Sequence, residues 1–201
     1  MTAGAEQAAP HTSPRLRDSE TRAALRGRLL HPYRRLRFYS FGHGSFVDRP
    51  VWLAGVHKIS IGNGTVVLRN CSLATSAATW HREGAAFVIG VNVTVNPHCA
   101  FSVTSSLTLE DEVSVGAYSM MVDSLHRLDG PNECYGRNPS VAAPIRVGRG
   151  TRVGERVSIL RGTNVGRECV IGTNSVVQGR IPDYSIVAGN PARIVGSTRP
   201  A

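Results

Sequence analysis

The stretch from Val147 to Val176 decides the fold, because a branched aliphatic residue opens each group of six residues in it. Written in sixes, it reads VGRGTR, VGERVS, ILRGTN, VGRECV and IGTNSV. An α-helix would place its apolar residues three and four apart, and an amphipathic strand would alternate apolar and polar residues in twos. A fixed period of six instead predicts a chain of stacked structural repeats.

The same period occurs upstream in three shorter runs. These are Ile61, Val67 and Leu73; Ile89, Val95 and Phe101; and Leu109, Val115 and Met121. The fourth residue after each apolar residue is small or of modest size, as at Thr65, Ala77 and Ser119. We expect both side chains to point inward, three short strands to close a triangular coil, and successive coils to stack about 4.8 Å apart. The sequence therefore predicts an all-β solenoid.

Three interruptions break the repeat, at residues 79–86, 105–108 and 122–144. The last is the longest and spans 23 residues without a hexad. A strict solenoid accepts insertions as loops, often on the face that binds a ligand. We therefore expect the loop 122–144 to carry functional residues.

The cysteines indicate neither a disulfide framework nor a zinc site, because no two of them have CxxC spacing. Cys71, Cys99 and Cys169 occupy the small inward position of their hexads. A free cysteine behaves as a small apolar residue in a core. We expect these three to fill the core.

The positive charge is concentrated near the N-terminus. The formal net charge is +9, and residues 1–50 hold nine arginines against four acids, or +5. Residues 1–13 are predicted to be disordered, and a basic helix is expected over residues 18–37. No nucleic-acid motif accompanies the charge, so we expect no nucleic-acid partner. Since neither a signal peptide nor a long apolar segment is present, we expect a cytoplasmic protein without an integral membrane segment.

The hexad pattern and the sequence AGNPARIV at residues 188–195 resemble the hexapeptide-repeat acyltransferases. The chain is most similar to their galactoside, maltose and exopolysaccharide O-acetyltransferase branch. The resemblance implies a left-handed parallel β-helix over residues 41–196, an N-terminal arm of residues 1–40 and a tail of residues 197–201. It also implies acetyl-CoA as co-substrate and a homotrimer with active sites between neighbouring subunits.

His126 lies at the base of the long loop, in the sequence MMVDSLHRLDG of residues 120–130. The family's catalytic histidine occupies the matching position, so the resemblance implies that His126 is the general base. An imidazole suits this role because it exchanges protons near neutral pH. Asp123 or Asp129 could orient its ring, or either could be a solvated loop acid.

Cys134 lies in the same loop and offers an alternative mechanism. A Cys–His pair could form an acyl-enzyme intermediate. We expect direct transfer instead, because the thioester of acetyl-CoA is already activated and a second thioester on Cys134 would gain no reactivity.

Acceptor binding is expected at Asn96, Asp123 and Ser124. The galactoside acetyltransferases place a substrate-binding asparagine at the position of Asn96, although an asparagine there could instead cap a turn. Their acidic sugar contact is replaced here by Thr104, which argues against a simple galactoside. The resemblance implies a hydroxylated acceptor that is a sugar, an activated sugar or a glycosylated small molecule.

The resemblance places acetyl-CoA along the later coils and the C-terminal tail. The expected contacts are Glu155, Thr173, Gln178, Gly179, Arg180 and Arg193. Where the family often has an aromatic residue, this chain has Arg152, and Gly179 followed by Arg180 replaces a frequent lysine. Arginine can bind phosphate with two N–H groups, but surface arginines of an Arg-rich protein would have the same pattern.

Three alternatives to O-acetyl transfer remain open on the sequence. An N-acyltransferase on an amino sugar, or an enzyme using another acyl-CoA, would need the same base and thioester. A γ-class carbonic anhydrase shares the fold, but its zinc site includes two histidines a few residues apart, whereas His81, His98 and His126 are 17 and 28 residues apart; no metal is expected. A non-catalytic solenoid that binds ice would carry ranks of Thr, whereas the outward positions here are rich in Arg, Asn and Glu.

Overall fold

The computed structural model describes residues 37–199. The expected disorder of residues 1–13 and all but the last residue of the expected helix over 18–37 lie outside the described residues. Among the residues that are described, no helix is both long and apolar enough to cross a membrane.

Three parallel sheets form the three sides of a β-helix, which we call faces A, B and C. Face A contains Ser40–Phe41, Ile59–Ile61, Phe87–Ile89, Leu107–Leu109, Ile145–Val147, Asn164–Val165 and Arg180–Ile181. Face B contains Phe46–Val47, Val66–Val67, Thr94–Val95, Ser114–Val115, Arg152–Val153, Val170–Ile171 and Ser185–Gly189, with Ala192–Ser197 added antiparallel. Face C contains Trp52–Ala54, Ser72–Thr75, Ala100–Val103, Met120–Val122, Ser158–Leu160 and Val176–Val177.

The remaining described elements are short. Ser124–His126 and Ser140–Ala142 form an antiparallel hairpin. Single turns of 3₁₀-helix occur at Val56–Lys58, Ala77–Thr79 and Tyr135–Arg137.

The hexad residues stack directly on one another and form the core. On face A, Ile61 pairs with Ile89, Ile89 with Leu109 and Leu109 with Val147. All four of these side chains are buried. The predicted all-β solenoid is therefore confirmed, with one short strand per face and three faces per coil.

The small inward position is polar in several coils because its side chain satisfies the backbone of the turn. Thr65 donates its hydroxyl to the carbonyl oxygen of Gly90 at 2.6 Å and accepts the N–H of Val93 at 3.0 Å. Thr151 donates in the same way to the carbonyl oxygen of Gly166 at 2.9 Å. A buried turn carbonyl without such a donor would cost about 1–3 kcal/mol.

The three cysteines at inward positions are buried free thiols, which confirms their predicted place in the core. Burial raises the pKa of the Cys169 thiol, so it stays protonated and unreactive at neutral pH.

The structure differs from the predicted hexad pattern in two places, before the first predicted run and at the first interruption. The period of six was recognised only from Ile61 on, whereas in the structure Phe41, Val47 and Leu53 form an earlier hexad run that pairs with Ile61, Val67 and Leu73. The prediction that Ala77 points inward is wrong. Ala77 is exposed, because it starts a 3₁₀ turn whose last residue, Thr79, is buried instead.

All three interruptions fall at the same corner of the triangle, where face C leads into face A. We call this the C–A corner; its segments are residues 55–58, 76–86, 104–106, 123–144, 161–163 and 178–179. The B–C corner, by contrast, consists of uniform four-residue turns such as 96–99, 116–119, 154–157 and 172–175. The irregular segments that could recognise a ligand are thus collected along one edge of the solenoid.

Candidate active site

His126 ends the first strand of the hairpin that projects from the C–A corner. Its ring Nδ1 lies 2.6 Å from the backbone carbonyl oxygen of Asn138, in the segment that precedes the second strand. A carbonyl oxygen can only accept a hydrogen bond, so Nδ1 carries the proton. In the neutral ring Nε2 is then unprotonated and has the lone pair that a general base needs.

Asn138 holds the loop between the hairpin strands in shape. Its buried side-chain Oδ1 accepts the backbone N–H of Asn132 at 2.9 Å, and its Nδ2 donates to the carbonyl oxygen of Arg127 at 3.1 Å. Because its own carbonyl orients His126, Asn138 positions the candidate base. The sequence prediction did not include Asn138, and its only local signal is the Asn–Pro pair that restricts its backbone.

Neither of the two acids considered for orienting His126 makes that contact. Asp129 is exposed and forms an ion pair with Arg127, with 3.0 Å between Oδ2 and NH2. Asp123 is buried, and its two carboxylate oxygens accept the backbone N–H groups of Thr104 at 2.8 Å and Ser105 at 2.6 Å. Of the two roles that the sequence left open, Asp129 is thus a solvated loop acid, and the group at Nδ1 of His126 is the Asn138 carbonyl.

Asp123 fixes the base of the hairpin to the coil below it. Burial raises the pKa of its carboxyl group, and the N–H donors of Thr104 and Ser105 oppose that shift. Since the carboxylate is buried and turned toward backbone donors, its geometry favours a positioning role over the expected contact with substrate.

Ser124, the first residue of the hairpin, lies next to Thr104 on the coil below. The Ser124 hydroxyl donates to the Thr104 hydroxyl at 3.1 Å, and both side chains are half-buried. The residue that replaces the family's acidic sugar contact is therefore next to one of the expected acceptor-binding residues.

Asn96 lies at the other end of face C from His126. It belongs to the B–C corner before the strand Ala100–Val103, whereas His126 follows the strand Met120–Val122 at the C–A corner. Its side chain donates to the carbonyl oxygen of Val115 at 2.9 Å, the turn-capping contact that the sequence left open. Within one chain, the structure does not bring Asn96 to His126.

The residues expected to contact acetyl-CoA also lie at two different corners of the solenoid. Glu155 and Thr173 are exposed at the B–C corner on adjacent coils, where the carbonyl oxygen of Glu155 accepts the N–H of Asn174 at 2.9 Å. Gln178 and Gly179 lie at the C–A corner, two coils above His126.

The arginines expected to serve the nucleotide lie on different faces. Arg180 is exposed on face A, and Arg152 is exposed on face B. Arg193 is exposed in the last strand, where its guanidinium donates to the carbonyl oxygen of Ala192 at 2.9 Å.

Cys134 is exposed in the loop between the hairpin strands. Among residues 37–199, no group of three His, Cys, Asp or Glu side chains is arranged to hold a metal ion.

We expect Asp123→Asn to destabilise the protein and to slow any reaction that uses His126. An amide presents an NH₂ group to one of the two backbone donors, so one donor loses its acceptor, at a cost of about 1–3 kcal/mol. Urea denaturation would measure the loss of unfolding free energy. Asp129→Asn is the matched control, because its exposed ion pair contributes little. Equal stability of Asp123→Asn and the wild-type protein would contradict this reading of the contacts.

No known protein-family profile matches the chain, but curated relatives do. It is 35% identical over 114 residues to "Probable acetyltransferase Rv3034c" of Mycobacterium tuberculosis, covering 57% of this chain and 36% of that protein. It is 29% identical over 111 residues to "Putative lipopolysaccharide biosynthesis O-acetyl transferase WbbJ" of Escherichia coli, covering 52% of this chain and 57% of that protein. The match thus spans between about a third and three fifths of these relatives' length.

Solved structures share the fold over most of the chain. A hexapeptide-repeat acetyltransferase from Vibrio cholerae, VCA0836, complexed with acetyl-CoA, superimposes with a TM-score of 0.63 at 22% identity, covering 92% of this chain and 88% of that one. In fold, the chain is similar to the hexapeptide-repeat acetyltransferases. A mutant of AntD, an N-acyltransferase from Bacillus cereus bound to dTDP and coenzyme A, superimposes with a TM-score of 0.69 at 16% identity, covering 84% and 89%.

The likeness to solved hexapeptide-repeat structures assigns the handedness of the solenoid. The fold is the left-handed parallel β-helix that the sequence predicted, an exception to the usual right-handed crossover between parallel strands. At these identities the superpositions establish the fold, and the chemistry has to be argued from the site.

Proposed function

We propose that this protein is an acetyl-CoA-dependent O-acetyltransferase with His126 as general base. The Nε2 atom takes the proton of an acceptor hydroxyl as its oxygen attacks the thioester carbonyl carbon. The carbon–sulfur bond then breaks, and the imidazolium returns the proton to the departing thiolate of CoA. The single observation that carries the proposal is the 2.6 Å contact between His126 Nδ1 and the Asn138 carbonyl, which presets the required tautomer.

The proposed active site lies between subunits of a homotrimer. His126, Gln178 and Gly179 stand at one end of face C, while Asn96, Glu155 and Thr173 stand at the other. If three copies turn face C toward a common three-fold axis, the C–A corner of each copy meets the B–C corner of the next. That arrangement unites the two halves of the expected site, which a single chain keeps apart.

The composition of face C supports its place at the axis. None of its six strands contains Asp, Glu, Lys or Arg, and its outward side chains are small or apolar. Faces A and B carry outward arginines, such as Arg146, Arg180 and Arg152. A flat, uncharged sheet face is suited to close packing against copies of itself.

We expect Ala100→Arg, on the outward side of face C, to break the trimer. Three guanidinium groups would be brought together at the axis without partners, and burying an unpaired charge is strongly unfavourable. Light scattering should give three times the chain mass of 21.5 kDa for the wild type and 21.5 kDa for the variant. Thr94→Arg, on face B of the same coil, is the control and should remain trimeric. A wild-type mass of 21.5 kDa would refute the assembly.

The proposed acceptor is a hydroxyl group of a sugar, an activated sugar or a glycosylated small molecule. The name of the relative WbbJ, an O-acetyl transferase of lipopolysaccharide biosynthesis, supports transfer to oxygen. AntD is named as an N-acyltransferase, and its structure contains dTDP, so an amino group of a nucleotide-linked sugar is the second candidate acceptor. The same base and thioester would serve either nucleophile.

Thiol release from acyl-CoA donors tests the proposal. Purified protein would be assayed with acetyl-CoA and longer acyl-CoAs against sugars, nucleotide sugars and the matching amino sugars. We expect release with acetyl-CoA and a hydroxyl acceptor, and product masses would distinguish esters from amides. Absence of thiol release from every donor, together with absence of CoA binding, would reject the acyltransferase function.

A further inference from the structure

Arg161 has an unsatisfied hydrogen-bond donor next to the hairpin of His126. Its side-chain Nε is buried and has no hydrogen-bond partner among the described residues. None of the ion pairs in residues 37–199 involves Arg161. Buried polar groups in native proteins almost always have a partner, and burying a donor without one is costly. Nε is covered by the protein itself, so the terminal nitrogens of the guanidinium, which have no hydrogen-bond partner among the described residues either, are the donors that a ligand from outside the chain can reach.

The coil register places Arg161 directly above the base of the hairpin. Val122 pairs with Leu160 on face C, so the residues that follow them, Asp123 and Arg161, occupy equivalent positions on adjacent coils. Backbone hydrogen bonds join the base of the hairpin to the turn of residues 161–163, which contains Arg161. The Asp123 carbonyl accepts the N–H of Ala143 at 2.9 Å, and the Ala143 carbonyl accepts the N–H of Gly162 at 3.2 Å.

Asp123 does not neutralise Arg161, although the two are neighbours in register. The Asp123 carboxylate is used by the N–H groups of Thr104 and Ser105 on the coil below. A buried carboxylate that already accepts two backbone donors is turned away from the coil above. The charge of the Arg161 guanidinium is therefore not neutralised by Asp123, and its N–H groups are available to another acceptor.

The position of Arg161 along the C–A corner indicates whether it would contact the acceptor or the acyl-CoA. Thr104 lies on the coil below the hairpin and contacts Ser124 at the start of the hairpin; both are on the side expected to bind the acceptor. Arg161 lies above it, one coil below Gln178 and Gly179, where the cofactor is expected. With coils about 4.8 Å apart, an acyl-CoA whose thioester lies at His126 and whose diphosphate lies near Gln178 would pass Arg161 with the arm that joins these two groups.

We propose that Arg161 binds the acyl donor, with its guanidinium donating hydrogen bonds to a carbonyl oxygen of this amide-containing arm. The inference rests on the proposed function. A charged donor in a partly buried site forms a strong hydrogen bond with a carbonyl. The buried, unpartnered Nε lowers the stability of the protein, whereas the terminal nitrogens are the donors available to CoA.

Two measurements on Arg161→Met test the inference, with CoA itself as the probe in calorimetry. We expect the Kd of CoA to rise about 10- to 100-fold, as for the loss of a hydrogen bond from a charged donor. The KM of acetyl-CoA should rise while the KM of the acceptor stays unchanged. The melting temperature without ligand should be equal to that of the wild type or higher, because methionine removes the unsatisfied donor.

Two further variants sharpen the test. Arg161→Lys keeps the charge but lacks the planar guanidinium, so its Kd for CoA should lie between those of the wild type and Arg161→Met. Arg167→Met removes one charge at the corner between faces A and B, where Arg167 pairs with Asp183, and should bind CoA like the wild type.

The inference is wrong if Arg161→Met binds CoA as tightly as the wild type, if only the acceptor KM rises, or if the variant melts several degrees lower. Failure of the wild type itself to bind CoA and release thiol would instead reject the proposed function, and the inference with it.

Discussion

Replacement of His126 by alanine is expected to lower kcat by roughly 10²- to 10⁴-fold. Without the imidazole, no group at the hairpin would take the proton of the acceptor hydroxyl. CoA binding should be intact, because His126 contacts the Asn138 carbonyl in the loop, whereas the proposed cofactor contacts lie on the later coils. Thiol-release assays at saturating concentrations of both substrates would measure kcat, and calorimetry would measure the Kd of CoA.

Cys134→Ser is the matched variant in the same loop and should have nearly wild-type kcat. Cys134 is exposed, and direct transfer requires no thiol. Loss of turnover in Cys134→Ser, or an acetylated Cys134 in intact-mass measurements, would replace direct transfer by an acyl-enzyme mechanism. Full activity of His126→Ala would remove His126 from the chemistry.

The second large effect is expected for Gly62→Ala, which should destabilise the β-helix by about 3 kcal/mol or more. A Cβ atom on Gly62 would lie 2.5 Å from both the carbonyl carbon and the carbonyl oxygen of Gly90 in the next coil. These are backbone atoms, and the spacing of the coils is fixed by hydrogen bonds such as that from Gly62 N–H to the Ile89 carbonyl at 2.7 Å. Neither coil can move away without breaking the sheet.

Thermal denaturation would show this as a decrease in the melting temperature of roughly 6–12 °C, or as failure to fold. Gly136→Ala is the control, because a Cβ there has no heavy atom within 4 Å and the backbone is not in the left-handed region. A melting temperature of Gly62→Ala equal to that of the control would show that the stacked turns are more compliant than their geometry indicates.

The sequence determined the core of this protein because the core is built from one local pattern used repeatedly. Each hexad contributes a large and a small inward residue, as Val165 and Cys169 do, and both are buried. Strand alternation depends only on neighbours along the chain. Regular spacing therefore sufficed to predict the solenoid from Ile61 to Val177. The earlier hexad run of Phe41, Val47 and Leu53 was missed because Leu53 and Ile61 are eight residues apart, which breaks the period of six.

The sequence also located the loop of His126, since an insertion in a strict repeat is visible as a gap. What it could not show is which atoms meet His126 across that loop. The carbonyl group of Asn138 orients the ring, and a backbone carbonyl has no signature in the residue type. Of the two acids that were considered for this role, Asp129 forms an ion pair with Arg127, and Asp123 accepts the backbone N–H groups of residues 104–105.

Only the tertiary structure decided how the candidate site is distributed. Contacts between coils depend on the register of stacked strands and on the lengths of the segments between them, so residues far apart in sequence become neighbours. The stacking places all insertions at one corner, separates Asn96 from His126 by the width of face C, and sets Arg161 above Asp123. The repeat thus specified the solenoid, and the register of its coils specified which side chains share an edge.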